Sequence, residues 1–391
     1  MLPLLVSILH ASNDMFSSFL TPLLPRIQAG FGVTYATVSV LVAVYSFTSS
    51  LLQPLAGLIA DRYDRRMLAA LGPVMVALGA GLMGFYPTPL IFALVLGLAG
   101  MGSALFHASG AALANQYAPP GKKGFWLSFF GSSGQLGLSI GPIVSIGIAG
   151  TLGLKGLAYL IPLSLIPALL LLRQAPPVNV DAKPSSFRDL ARVFRGEVAK
   201  LWAISTLRNI AFMSFSTTIP YWYLQRGIPE GTMALALTVY NFAAVAGAFL
   251  GGTLSDRWGR KAVMVFTMVF SIPLYIGLLI VPPESALIYL PLLALTGALI
   301  NAGIPVAVVM AQEHEPRQIA TVSGLLMGFT WGFAGLLYGI IGPLIERVGV
   351  IPMLAALGLL LIPALTLTLS LKEPEHELSA QPSKVEPTLS D

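Results

Sequence analysis

The chain has 391 residues, of which 55% are hydrophobic and only 10% are charged. An ordinary soluble domain carries about 25% charged residues, so this composition excludes a water-soluble globular protein and indicates a membrane protein. The formal net charge is +5, and cysteine is absent, which excludes disulfides and thiolate metal sites.

Twelve segments of the sequence are long and apolar enough to cross a bilayer, which requires about 20 mostly apolar residues. We number them 1 to 12, and they are predicted at residues 3–28, 34–60, 66–86, 88–116, 122–150, 154–173, 198–225, 231–256, 261–281, 285–312, 317–345 and 350–371. The alternating pattern of an outer-membrane barrel strand is absent. The sequence therefore predicts an all-α membrane protein with twelve transmembrane helices.

Residues 174–197 divide these helices into two groups of six. This stretch is rich in proline and charge, and we expect it to link an N-terminal bundle, residues 1–173, to a C-terminal bundle, residues 198–371. Residues 372–391 have the composition of a disordered tail. Segment 1 is too long for a signal peptide and carries Asp14 in its middle, so we interpret it as a retained helix.

The two groups of helices are repeats of each other. Residues 57–66 have the sequence GLIADRYDRR, and residues 252–261 have the sequence GTLSDRWGRK, at an offset of 195 residues. Pro25 and Pro220 keep the same offset, as do Tyr45 and Tyr240. Repeats of this kind are typical of membrane transporters, in which the substrate site lies where the repeats meet.

The basic residues orient the chain in the membrane. If the N-terminus is cytoplasmic, 17 of the 22 Lys and Arg residues lie on the cytoplasmic side and four lie outside. This asymmetry predicts cytoplasmic N- and C-termini by the positive-inside rule. The positive net charge then needs no nucleic-acid partner. We expect a monomer in a bacterial inner membrane, with the lipid bilayer as its partner.

The two charged cassettes resemble the signature of the major facilitator superfamily, G-x-x-x-D-R-x-G-R-[RK] between segments 2 and 3. The second copy matches this signature throughout, whereas the first has Asp64 in place of the last glycine. The resemblance covers essentially the whole chain. It implies two pseudo-symmetric six-helix bundles that transport a solute by alternating access.

The cassettes supply the predicted gate. An Asp at a helix end can accept from the N-terminal turn of a neighbouring helix, and an Arg can bond the carbonyls at a helix C-terminus. Such contacts can form in one conformation and break in the other. The predicted gating residues are Asp61, Arg62, Arg65, Asp256, Arg257 and Arg260. The alternative is that these charges only set the topology.

Three further motifs are similar to those of fosmidomycin-resistance efflux proteins and drug/proton antiporters. They are His10-x-x-Asn13-Asp14 in segment 1, Phe106-His107 in segment 4, and Gly137-x-x-x-Gly141-Pro142 in segment 5. Small residues in the last motif allow close helix packing. The resemblance implies efflux rather than uptake.

Asp14 is the only acidic side chain that we place near mid-membrane. A charge there costs on the order of several kcal/mol, so such residues usually face a cavity and have a function. His10 lies one helical turn away on the same face and can share a proton with Asp14. We predict that Asp14 and His10 couple transport to protons. The alternative is that Asp14 makes structural hydrogen bonds with Asn13 and its neighbours.

Arg208 in segment 7 is the matching intramembrane cation, and it corresponds to Asn13 at the repeat offset. It could hold an anionic substrate through its fork of donors, form a salt bridge with Asp14, or be purely structural. The predicted substrate-binding residues are Asn13, His107, Gln135, Arg208, Asn209, Tyr240, Asn241, Asn301 and Trp331. Polar residues also hold membrane helices together, which is the alternative for each of them. Glu313 is expected to be a solvated loop charge.

The functional hypothesis is a secondary active transporter that exports a small amphiphilic or anionic compound in exchange for protons. Proton-coupled uptake or symport of a sugar, organic acid or lipid-like solute is the alternative. A membrane enzyme or receptor is disfavoured because there is no H-E-x-x-H motif and no large extramembrane domain. A P-loop is also absent, so ATP is not the expected energy source. We expect no cofactor and no metal.

Overall fold

The computed structural model describes residues 1–60, 63–119, 123–177, 193–316 and 319–373. Within these ranges the secondary structure is entirely helical, and the helices follow the twelve predicted segments. We label them α1 to α12 by segment, with a and b for the parts of an interrupted segment. The predicted linker and tail fall mostly outside the described residues.

The first half contains segments 1 to 6. Its helices are α1a (Leu2–Ser17), α1b (Leu20–Phe31), α2a (Tyr35–Ser46), a π-helical turn (Phe47–Leu51), α2b (Gln53–Ala60), α3 (Arg65–Gly81), α4 (Pro89–Gln116), α5 (Lys123–Leu152), a 3-10 helix (Leu154–Leu160) and α6 (Pro162–Gln174).

The second half contains segments 7 to 12. Its helices are α7 (Gly196–Gln225), α8 (Glu230–Trp258), α9 (Arg260–Ile280), α10 (Ala286–His314), α11a (Ile319–Gly324), a second π-helical turn (Leu325–Phe329), α11b (Thr330–Val348), α12a (Val350–Gly358) and α12b (Leu361–Leu369). Eight helical stretches of the described chain are long and apolar enough to cross a membrane.

Local sequence explains several helix ends. Gly32 ends α1b with φ 64°, and Gly227, one repeat later, follows α7 with φ 66°. Glycine adopts this left-handed conformation without the steric cost that a side chain adds. Thr34 and Thr88 cap α2a and α4, because their side-chain oxygens accept from the backbone N–H three residues on.

Helix packing places segments 1 and 4 at the centre of the first half. Helix α1a packs on α5, and α3 packs on α4, while α8 and α9 pack on α10 in the second half. The two halves meet through α2a with α11b and through α5 with α8. The last two pairings form the main part of the interface between the halves.

The contact between α2 and α11 is a seam of small residues. Cβ atoms added at Gly332, Gly335 or Gly342 of α11 would collide with Leu51, Ser46 or Ser39 of α2. A Cβ at Gly339 would lie 3.0 Å from that of Ala43, and with this position included the glycines recur every three or four residues, which is the spacing that keeps one helix face on its partner. Glycine lets the two backbones approach closely.

The halves are joined at the end of the bundles that lies away from the cassettes. We call this end the opposite face and the end with residues 64–66 and 256–261 the cassette face. On the opposite face Arg26 forms an ion pair with Glu230 and donates to the carbonyl of Ala149 at 2.5 Å. The Tyr35 and Tyr338 hydroxyls are 2.5 Å apart. Within the described residues, every side-chain hydrogen bond found between the halves lies at this face, which is therefore closed.

Candidate functional site

The carboxylate of Asp14 lies between two imidazoles. His10 Nε2 is 3.3 Å from Asp14 Oδ2, and His107 Nε2 is 3.4 Å from Asp14 Oδ1. The side chain of Asp14 is 14% exposed and that of His107 is 30% exposed, whereas His10 is almost fully buried. The site is thus enclosed on the His10 side and accessible on the His107 side.

Three helices build this site. His10 and Asp14 are one turn apart on α1a, and His107 comes from α4. Helix α5 completes it by the absence of a side chain, because a Cβ at Gly134 would lie 2.6 Å from Asp14 Oδ2. Gly137 similarly makes room for the backbone of α1a. The close helix packing expected of the glycine motif in segment 5 is therefore present.

Main-chain carbonyls fix the orientation of both imidazoles. His10 Nδ1 donates to the Phe130 carbonyl at 2.7 Å, and His107 Nδ1 donates to the Ser103 carbonyl at 2.8 Å. A carbonyl only accepts, so each Nδ1 carries a proton and each Nε2 faces Asp14. Two neutral imidazoles would then turn nitrogen lone pairs toward a carboxylate. The geometry requires a proton or another cation between Asp14 and these nitrogens.

Asn13 belongs to the same cluster. Its Nδ2 donates to Asp14 Oδ1 at 2.9 Å and to Ser103 Oγ at 3.1 Å, and its side chain is fully buried. This hydrogen bond between neighbours was the structural alternative for Asp14. It coexists with the two imidazole contacts, so the cluster joins α1a to α4 by both neutral and titratable groups.

The side chains of His10, Asp14 and His107 also have the spacing of a metal site. Their ligand atoms lie within 4.8 Å of one another, and they are the only such group found in the described part of the chain. The sequence predicted no metal. Two imidazoles and one carboxylate suit a divalent ion, but a proton on the Nε2 atom of each imidazole satisfies the same two contacts.

Arg208 lies in the second half and is 1% exposed. Its Nε donates to the Ile300 carbonyl at 2.9 Å, and its Nη2 donates to the Leu299 and Ile300 carbonyls at 2.8 and 2.6 Å. Thr267 Oγ1 lies 3.4 Å from both terminal nitrogens. In this conformation Arg208 is bonded to α10 and Asp14 to histidines, so the predicted ion pair between them is not formed.

The other predicted substrate residues are divided between the halves. Asn209 donates to Thr330 Oγ1 at 2.9 Å, and Asn301 donates to the Gly297 carbonyl at 3.3 Å. Tyr240 is buried and stacks on Phe212. The half-buried or exposed members are Trp331, Asn241 and Gln135. None of these six residues is bonded to the Asp14 cluster in the described contacts.

The cassettes bond helix ends as their chemistry predicts, although Asp61 and Arg62 lie outside the described residues. Arg66 donates to the Ala175 carbonyl at 2.9 Å, and Lys261, its repeat equivalent, donates to the Leu371 carbonyl at 2.7 Å. These carbonyls lie just beyond α6 and α12b.

The remaining gate residues differ in their contacts. Arg65 donates to the Ala60 carbonyl, and Arg257 is exposed. Arg260 pairs with Asp256 at 2.5 Å and with Glu313 at 3.0 Å. The expectation that Glu313 is a solvated loop charge was wrong, because it ties the end of α10 to the second cassette.

One sequence pattern in α5 resembles a hydrolase motif but does not form a catalytic site. Gly137 to Gly141 also spells G-x-S-x-G, which in hydrolases places a serine on a sharp turn between a strand and a helix. Here Ser139 lies inside a continuous helix, is fully buried, and donates to the Gln135 carbonyl at 2.8 Å. It therefore lacks the exposure that a nucleophile requires.

Sequence reasoning missed the atoms that orient the site. Ser103 precedes His107 by four residues, which is a helical spacing that could have linked them. The carbonyl of Phe130 and the gap at Gly134 leave no such signal, since both depend on how α5 packs against α1a.

Two helical bundles with a titratable cluster inside the membrane core define a transport protein rather than an enzyme. The family model of the Major Facilitator Superfamily matches residues 6–339, and the chain belongs to this superfamily.

Curated relatives carry transporter names. The fosmidomycin resistance protein of Escherichia coli is 26% identical over 356 residues, which cover 88% of this chain and 86% of the relative. The multidrug resistance protein MdtG of Salmonella paratyphi C is 25% identical, covering 80% and 83%. The probable nitrate/nitrite antiporter NarK1 of Thermus thermophilus is 27% identical, covering 78% and 77%.

Solved structures share the fold. The nucleoside transporter NupG matches with a TM-score of 0.76 at 16% identity, covering 94% of this chain and 99% of that one. A bacterial homolog of the human lysosomal transporter Spinster, in an inward-facing and unoccupied conformation, matches with a TM-score of 0.75 at 14% identity, covering 94% and 95%.

Proposed function

We propose that this transporter exports a small amphiphilic or anionic compound in exchange for protons. The observation that carries the proposal is the Asp14 carboxylate held between the Nε2 atoms of His10 and His107. This arrangement needs a proton or cation to be stable, and His107 gives it access to the transport path. Binding and release of a proton there change the charge of the cluster.

Alternating access follows from the closure of one face. The basic residues favour a cytoplasmic cassette face, so the conformation closed at the opposite face faces inward. In this state the cluster exchanges protons with the cytoplasm and substrate enters. We propose that residues 1–173 and 198–371 are the two bodies that rock, and that the predicted cassette residues, Asp61 and Arg62 included, close the cytoplasmic side in the other state.

The direction of transport is supported by two relatives named as resistance proteins, which favours efflux. For substrate contacts we propose His107, Gln135, Asn241 and Trp331, because these predicted residues keep accessible surface. The buried Asn13, Asn209, Tyr240 and Asn301 are proposed to support them from behind.

The coupling is tested in liposomes that contain a pH-sensitive dye. Fosmidomycin, suggested by the first relative's name, serves as the initial probe. Substrate added outside an antiporter expels internal protons, so the interior becomes alkaline. Acidification on the same addition would establish symport and overturn the proposed exchange.

Asp14→Asn tests the site directly. The amide keeps the size of the carboxyl group and cannot cycle between charged and neutral forms. We expect the variant to fold and to exchange substrate for substrate but not to accumulate substrate under a pH gradient. Glu284→Gln is the control, because it neutralises an exposed carboxylate that binds Arg226 far from the site. Gradient-driven transport by Asp14→Asn would remove Asp14 from the coupling mechanism.

A further inference from the structure

We propose that Arg208 is a positioning residue that holds the middle of α10 against α7 and thereby sets the position of the cassette-face end of α10. This role goes beyond the proposed proton exchange and does not depend on it. It differs from both the substrate contact and the ion pair with Asp14 that the sequence suggests.

The hydrogen bonds of Arg208 all lead to other helices of its own half. They end on two main-chain carbonyls of α10 and on Thr267 of α9. An arginine remains charged in a protein, and within the described residues no carboxylate contacts this one. The carbonyl dipoles therefore replace water around a permanent charge, which makes the contact insensitive to pH.

The contact lies next to a proline in α10, and this position indicates its role. Pro305 interrupts the backbone hydrogen-bond ladder, because proline has no N–H and its ring crowds the carbonyl four residues back, that of Asn301. Arg208 bonds the two carbonyls just before that point. It therefore fixes the end of the regular first part of α10, from which the second part extends to the cassette face.

The second part of α10 reaches the gate. It ends near Glu313, which pairs with Arg260 of the second cassette. A change in the direction of α10 at Pro305 would move this ion pair. Arg208 is thus connected to the cassette face through a single helix.

Gly303 leaves room for the Arg208 side chain at the same contact. A Cβ at this position would lie 2.7 Å from Cζ of Arg208 and closer still to Nη1. The missing side chain leaves the space that the guanidinium occupies. Gly303→Ala therefore displaces Arg208 without removing its charge, which provides a second, independent variant.

The first half has an equivalent contact of a different kind. Asn13 occupies the repeat position of Arg208 and donates across to Ser103 of α4, but it also donates to Asp14, which His10 and His107 contact. Contact between α1a and α4 thus involves titratable groups, whereas contact between α7 and α10 does not. We infer that α10 keeps a fixed reference point while the first half responds to protons.

The test measures the cassette-face distance between the halves by spin labels. Because the chain has no cysteine, labels can be placed by Gln116→Cys at the end of α4 and Glu315→Cys after α10. The variants are Arg208→Met, Arg208→Lys and Gly303→Ala, each measured without substrate. Gly231→Ala is the matched control, since this glycine lies in the same half but outside the cassettes, and a Cβ there meets nothing within 4 Å.

We expect Arg208→Met and Gly303→Ala to shift the distance distribution in the same direction, changing the ratio of populations about tenfold, because hydrogen bonds to a charged group are lost. Arg208→Lys should restore part of the parental distribution, since the ammonium keeps the charge but lacks the planar fork of donors that fits both carbonyls and Thr267. The double variant Arg208→Met/Gly303→Ala should shift it no further than Arg208→Met alone.

Three results would overturn the proposal. Parental distances in both Arg208→Met and Gly303→Ala, with a lower thermal unfolding temperature, would make Arg208 merely structural. Parental distances with loss of fosmidomycin binding would show that Arg208 contributes to substrate binding instead of positioning α10. Additive shifts in the double variant would show that Gly303 acts independently of Arg208. A failure of proton exchange would leave these distance measurements unaffected.

Discussion

At the scale of single residues, His107 is the titratable side chain of α4 that contacts Asp14 of α1a. Its Nε2 reaches Asp14 from α4, while His10 reaches the same carboxylate from within α1a. His10 is also stacked on Phe130 of α5, with ring centroids 4.1 Å apart. His10 is therefore held in place, whereas His107 is more exposed and free to lose its contact when α4 moves.

His107→Gln is expected to slow proton-driven exchange by roughly 10²-fold or more, the usual effect of removing a group that transfers a proton. The variant should fold, because glutamine can still donate to the Ser103 carbonyl. The measurement is the initial exchange rate between pH 6 and pH 8. His314→Gln is the control, since the hydrogen bond of His314 in the described part of the chain is to the exposed Lys372 carbonyl, far from Asp14. A pH–rate profile equal to that of the parent would contradict the role of His107.

The residues of this cluster were partly predictable. The spacing of His10 and Asp14 on one helix places them together whatever the tertiary structure, and their contact is confirmed. His107 was predicted only as a substrate residue, since nothing in the sequence says that α4 faces Asp14. Arg208 was predicted to lie inside the membrane, with a structural role as one alternative, but its carbonyl partners depend on the packing of α7 against α10.

At the scale of helices, the seam between α2 and α11 determines how closely the halves approach. Small residues at regular spacing are visible in the sequence of both segments, and they predict close packing somewhere. They do not say which two helices pair. The π-helical turns Phe47–Leu51 and Leu325–Phe329, one on each side of this seam, were also not predicted. Such turns often occur at functional positions of helices, because they change the register of the face presented.

Gly342→Ala is expected to prevent closure of the opposite face. Its Cβ would overlap the side chain of Ser39 in the other half, and no atom outside Ser39 lies closer than 3.7 Å to it, so the clash exists only while the halves are closed. Overpacking costs about 1–3 kcal/mol, which is enough to populate the open state. Spin labels at Ala29→Cys and Arg347→Cys would report a longer distance.

The compensating variant makes this prediction specific. Ser39→Gly removes the atoms that Gly342→Ala meets, so the double variant should recover the parental distance and transport. Gly324→Ala, in the same segment but facing open space, should have no effect. No recovery in the double variant would mean that Gly342 acts through its own half.

At the scale of the whole molecule, the two faces are held by different means. On the cassette face, Arg66 and Lys261 bond helix ends within their own halves, and Arg260 pairs with Glu313 of the same half. On the opposite face, Arg26 bonds both Glu230 and α5, and thus connects the two halves. No motif in the sequence singles out Arg26. Its partner is 204 positions away, and no local pattern indicates it.

The Arg26–Glu230 pair gives a prediction about the size of its contribution. It is the only ion pair found between the halves in the described part of the chain. Both side chains are partly exposed, and exposed pairs contribute about 0–1 kcal/mol. Arg26→Gln should therefore change the ratio of open to closed states by at most roughly fivefold, since 1 kcal/mol corresponds to that factor.

The comparison with the seam decides which contact closes the opposite face. Labels at Ala29→Cys and Arg347→Cys should show a smaller opening in Arg26→Gln than in Gly342→Ala. The difference in label distance between Arg26→Gln and the parent should become smaller at high salt, because salt already weakens the ion pair in the parent. The exchange Arg26→Glu/Glu230→Arg should recover only part of the loss, since the carbonyl of Ala149 would then face a carboxylate. If Arg26→Gln opened the face as far as Gly342→Ala does, closure would depend mainly on the ion pair. The packing of small residues between α2 and α11 would then be a consequence of closure and not its cause.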